Sequence, residues 1–127
     1  MISNADVFDI AYWNESPLSS FFDDVIFSCN AGVLKPDCRI YEMALQEMKV
    51  APQEAMFIGD GANNELYGAK LAGLTTVWTE QLIRYNEKKR EELSHDADFR
   101  IDRLDELLTL LNPKDENLLK TNKYPTE

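Results

Sequence analysis

The stretch "AMFIGDGANNELYGAK", residues 55–70, decides the fold. Ala55, Met56, Phe57 and Ile58 form a short unbroken apolar run, which suits a strand buried on both faces of a parallel sheet better than an amphipathic one. Asp60 then falls at the carboxyl end of that strand, where open α/β sheets gather their ligands. Gly59 and Gly61 on either side permit a sharp turn and close backbone approach. Asn63 or Asn64 is placed to cap a helix that Leu66, Ala69 and Lys70 carry to a stop at Gly73. Glu65 lies in the first turn of that helix, facing back toward Asp60. Two carboxylates so placed read as oxygen ligands for a hard cation, magnesium first. Alignment with the helix dipole explains Glu65 alone equally well. It does not explain Asp60, set between two glycines after an apolar strand.

Working outward, "VIFSC" (25–29) is rich in β-branched and aromatic residues and predicts a strand. "NAGVLKPD" (30–37) is a loop whose Pro36 and Asp37 introduce a helix, "CRIYEMALQEMKV" (38–50), with Ile40, Tyr41, Ala44, Leu45 and Met48 on one face. Downstream, "LTTVW" (74–78) predicts a strand and "EQLIRYNEKKREELS" (80–94) a helix whose charges form a solvated face. "DADFRI" (96–101) reads as a short edge strand and "DRLDELLTLL" (102–111) as a closing helix. At the amino end an apolar stub meets Ser3 and Asn4. Val7, Phe8, Ile10, Ala11 and Trp13 then predict a short helix closed by Ser16 and Pro17. Strands alternating with helices mean βαβ units, hence an α/β fold with a doubly wound parallel sheet over residues 1–111. Residues 112–127 open with a helix-stopping Asn-Pro and turn polar, the signature of a loose tail.

The composition, 44% hydrophobic and 28% charged over 127 residues, is that of one globular domain. A net charge of −10 opposes binding to nucleic acid or to anionic membranes. A phosphorylated substrate has to be held by local groups against that field. Cys29 and Cys38 lack metal-ligand spacing and predict buried free thiols in a reducing, cytoplasmic setting. No apolar run approaches the ~20 residues that cross a bilayer. The single histidine, His95, excludes a multi-histidine metal site.

Three signatures stand in order: "ISN" after the apolar stub, "GVLKPD" before a helix, and "FIGDGANNE" after a strand. In that order the chain resembles the haloacid dehalogenase-like hydrolase superfamily, whose members are mostly magnesium-dependent phosphatases. The resemblance implies a Rossmannoid fold and a site on a phosphoric monoester. Ser3 would bind the transferring phosphoryl group with Asn4 beside it, and Lys35 would neutralise the phosphoryl oxygens. Asp60 would hold Mg2+, and Glu65 would take the second acidic position, working through water where aspartate is commoner. A cation on each side of the phosphate is what phosphoryl transfer requires.

One departure is severe. The family's first motif, a strand ending in two aspartates one residue apart, supplies the nucleophile that becomes an aspartyl-phosphate, and this sequence has no such motif. Asp6 and Asp9 follow Ser3 in a predicted helix and cannot stand in. In the family that strand lies between the strand bearing Asp60 and the strand ending at Ser3. The expectation is therefore an incomplete core with its central first strand missing and two sheet fragments with exposed inner edges. These would be closed by direct pairing or by a strand from a partner or a second copy. The chain reads as starting within a domain, without the cap that selects substrates. Two functions follow from the resemblance: a partial phosphatase, inactive alone, or a noncatalytic module acting through oligomerisation. A phosphoacceptor receiver domain fits worse, since Lys35 precedes Asp60 rather than following it. A dehalogenase would not need the two acids.

Overall fold

Five short parallel strands carry the β structure of residues 1–112, the part of the chain that the computed structural model describes, and they fall into two separate sheets. In the first, β1 (Ile2–Ser3) pairs with β2 (Ile26–Phe27), and the Ile26 amide donates to the Met1 carbonyl at 2.8 Å. In the second, β4 (Thr75–Thr79) runs between β3 (Met56–Gly59) and β5 (Phe99–Ile101). No ladder joins β1 to β3. The central place of β4 suits its sequence, because a Thr-Thr-Val-Trp-Thr run of β-branched and aromatic residues can be covered on both faces.

Helices cover both faces of the larger sheet. On one face Ile40, Tyr41 and Leu45 of α2 (Cys38–Met48), Leu66 and Ala69 of α3 (Glu65–Leu71) and Leu93 of α4 (Glu87–Asp96) pack with Phe57 and Trp78. On the other, Val77 and Ile101 meet Leu110 of α5 (Leu107–Leu110). The alternation of Val77 and Trp78 to opposite faces is the strand's period of two. This is the doubly wound α/β architecture expected from the sequence. Asp37 caps α2 by accepting from the Arg39 amide at 3.0 Å, and Gly73, at φ 86°, ends the turn after α3.

Several elements differ from the sequence reading. No α-helix forms over residues 7–13. The Asp6 carboxylate accepts from the amides of Phe8 and Asp9 at 2.8 and 3.0 Å, an Asx turn that competes with helical bonding. Turns and two 3-10 segments (Trp13–Glu15, Ser19–Phe21) follow, and Phe8 is 85% exposed. Trp13 packs its ring 5.5 Å from Phe27 and 6.0 Å from Phe22. The strand at 25–29 ends at Phe27, and Ser28 opens the short α1 (Ser28–Ala31), its hydroxyl bonded to both backbone groups of Ala5.

The charged helix starts at Glu87, capped by the Asn86 side chain, and not at residue 80. Glu80 is buried instead and holds Arg90 and Arg100. Asn63 and Asn64 do not cap α3 with their side chains. Both adopt left-handed backbone, at φ 51° and 56°. Cys29 and Cys38 are free but exposed, not buried, because each lies on an outer helical position. Residues 113–127 of the expected tail lie outside the described residues.

Candidate functional site

A cleft of about 870 Å³ separates β1 from β3, with Ala44, Leu45 and Met48 of α2 also along its wall. All five residues singled out from the sequence line it: Ser3, Asn4, Lys35, Asp60 and Glu65. They come from three places in the chain because parallel strands deliver their carboxyl ends to one edge of the fold.

At β1, Ser3 is half-buried, and its hydroxyl finds no partner among the described residues. Asn4 grips the backbone of Lys35 twice, its Nδ2 donating to the Lys35 carbonyl at 3.0 Å and its Oδ1 accepting from the Lys35 amide at 2.8 Å. The loop carrying Lys35 is thereby fixed to the end of β1. The Lys35–Pro36 peptide is cis.

Lys35 sends its ammonium into the cleft, where Nζ donates to Glu65 Oε2 at 2.6 Å and lies 5.6 Å from the centre of the Phe57 ring. The lysine side chain is 15% exposed and the glutamate side chain 8%. Glu65 Oε1 accepts from the Gly61 amide at 3.2 Å, so both oxygens of that carboxylate are engaged. Asp60 Oδ1 accepts from the Ala62 amide at 2.9 Å and holds the turn after β3. Gly59 is required here, because a Cβ would collide with the Glu65 carboxylate. Gly61 is left-handed at φ 88° and packs against the Leu93 side chain.

Two tyrosines belong to the same neighbourhood and were not singled out from the sequence. Tyr41 is fully buried, and its hydroxyl donates to the Glu65 carbonyl at 2.7 Å. Burial, and then the charges of Asp60 and Glu65, push the Tyr85 phenol above its ordinary range. Tyr41 was legible only as one residue of an apolar helical face. Tyr85 lay in a stretch read for its charges.

Asp60 and Glu65 are the acids available to a cation at this edge. Among the described residues no group of three or more His, Cys, Asp and Glu side chains comes together. Asp60 suits a hard cation as a single carboxylate ligand, while Glu65 is committed to Lys35 and Gly61. No helix of the described residues is long and apolar enough to cross a membrane.

A Rossmann-like α/β fold thus brings a hydroxyl, a lysine and two acids to one cleft. The chain belongs to the haloacid dehalogenase-like hydrolase family, whose model matches residues 1–73. It is similar to the glyceraldehyde 3-phosphate phosphatase of Pyrococcus furiosus, 36% identical over 96 residues that make up 74% of this chain and 38% of that protein. It is 40% identical over 67 residues to the phosphoserine phosphatase of Thermus thermophilus, covering 53% of this chain and 27% of that one. Among solved structures, a 2-haloacid dehalogenase from Pseudomonas syringae superposes with a TM-score of 0.64 at 26% identity, over 87% of this chain and 44% of that chain. The chain thus spans less than half the length of each of these relatives.

Proposed function

We propose that this chain forms part of a magnesium-dependent hydrolase acting on a phosphoric monoester of a small molecule. The observation that carries the reading is the convergence of Ser3, Asn4, Lys35, Asp60 and Glu65 on one cleft. Lys35 supplies local positive charge to an anion that the −10 net charge otherwise repels. Ser3 offers a hydroxyl with no competing partner among the described residues, and Asn4 keeps the lysine loop against it. Asp60 would hold Mg2+ directly and Glu65 through water, and the ion would neutralise charge on the phosphoryl oxygens. The names of the two phosphatase relatives support this class over a dehalogenase, as do the two acids.

The nucleophile is the remaining requirement. The unpaired edges of β1 and β3 face one cleft, and a further parallel strand ending in an aspartate fits between them. A partner supplies it in this reading, since a second copy of the chain would lack the same motif, and the chain alone does not turn over. The engaged carboxylate of Glu65 favours one alternative, a noncatalytic module that uses the same edges to assemble.

The test is hydrolysis of an aryl phosphate with magnesium, by the chain alone and with a synthetic apolar peptide ending in Asp-x-Asp. Turnover is expected only with the peptide and magnesium, and it should disappear in Asp60→Asn. A bound peptide without turnover supports the noncatalytic module. Chloride release from a 2-chloroalkanoate without magnesium moves the assignment to dehalogenase.

A further inference from the structure

We propose that Tyr41 is the positioning residue that holds the Lys35–Glu65 pair in register, acting through the Glu65 backbone and the Phe57 ring. Its side chain reaches both supports of the lysine. The hydroxyl donates to the carbonyl of Glu65, the first residue of α3, at 2.7 Å. The ring meets Phe57 edge-on, with centroids 5.3 Å apart and planes at 80°. Phe57 is the ring over which the Lys35 ammonium lies, and Glu65 is the anion that receives it at 2.6 Å. Tyr41 therefore touches the aromatic and the anionic partner of Lys35 without touching Lys35 itself.

A fully buried side chain at this helical position would ordinarily be apolar, since a hydroxyl taken out of water has to be bonded to avoid a desolvation cost. Here the hydroxyl is bonded, and to the residue that orients the lysine. Burial and the neighbouring Glu65 charge push the Tyr41 phenol well up, so it stays a donor. Gly68 completes the clamp from the other side. A Cβ there would strike the Pro36 carbonyl, so α3 approaches the residue next to Lys35 at a separation only glycine permits. A lysine side chain has four flexible torsions, and a site that uses its charge gains from having it fixed beforehand. The purpose assigned to that charge rests on the phosphatase reading, whereas the positioning does not.

The test uses the 15N-labelled 127-residue chain and the side-chain ammonium resonance of Lys35, whose hydrogen exchange is slowed by the ion pair. Tyr41→Phe keeps the ring and removes the hydroxyl. It should speed ammonium exchange about five-fold, the size expected for one lost hydrogen bond, while amide resonances away from this cluster stay in place. Glu65→Gln should also speed exchange, and Tyr41→Phe should add nothing to it. Unchanged exchange in Tyr41→Phe, or independent effects of the two substitutions, overturns the proposal. If Tyr41→Phe loses its amide dispersion, Phe57→Leu takes its place: faster exchange is expected, and wild-type exchange overturns the proposal. Failure of the phosphatase reading shows separately, as absent turnover with the Asp-x-Asp peptide and magnesium while these spectra stay unaltered.

Discussion

Lys35 and Glu65 form an ion pair largely shielded from water, and such pairs are asymmetric in their energetics. Removing one partner leaves the other desolvated and unpaired, which costs far more than the intact pair contributes. Glu65→Ala should lower unfolding stability by about 3 kcal/mol, because it strips both the Lys35 ammonium and the Gly61 amide of an acceptor; urea titration measures it. The exposed Asp37 carries a different signal. Its side-chain bonds to Arg39, and then the Arg39 amide, lower its carboxyl from 3.8 to about 2. A folded value below the unfolded one means the stabilisation is fully present above 3.8 and is lost as pH falls through about 2. The Asp37 Cγ resonance should titrate with a midpoint near 2, and Arg39→Ala should return it toward the ordinary range. At this scale the meeting of the candidate residues at one cleft was largely legible. Lys35, Asp60 and Glu65 each stand in a short local pattern of strand end, glycine and loop. Tyr41 was not legible, because a tyrosine on an apolar helical face looks the same whether or not its hydroxyl has a partner.

Some element limits set by local chemistry followed the sequence, while others, set by a distant contact or by a competing local turn, did not. The α2 cap and the glycine stop after α3 are short-range events. The start of the charged helix is not, since Glu80 is buried and pairs with the part-exposed Arg90 and with Arg100 on β5. Over residues 6–15 a helical spacing of apolar residues was present, yet the Asp6 carboxylate offers the backbone amides a local alternative. The contact between α3 and the Lys35–Pro36 loop gives a prediction of its own. Gly68→Ala must push the helix from the Pro36 carbonyl and should cost about 2 kcal/mol, in the range of overpacked sites, by the same urea titration. A compensating loss of the Lys35–Glu65 contact should accompany it.

For the molecule as a whole, the two sheets differ in what holds them. β4 is paired on both sides and buried on both faces, whereas β1 and β2 are two-residue strands with one ladder between them. Native-state hydrogen exchange should therefore find the slowest amides at Val77 and Trp78, with Ser3 and Phe27 exchanging through local opening at far lower free energy. Comparable protection in both sheets would mean that they open as one unit. The doubly wound class was readable from alternating apolar runs and helices, since periodicity reports burial directly. The lack of pairing between β1 and β3 had no signal in periodicity and was expected only from the resemblance.

The chain holds two tryptophans, one in each part: Trp13 edge-on to Phe27 of the small sheet, and Trp78 buried at the heart of the large one beside the Arg100 guanidinium, 5.5 Å away. Each half of the protein thus has its own built-in fluorophore, one partly wet and one dry. Replacing either with phenylalanine leaves an emission spectrum that reports a single sheet, so the order in which the halves melt can be followed by colour alone.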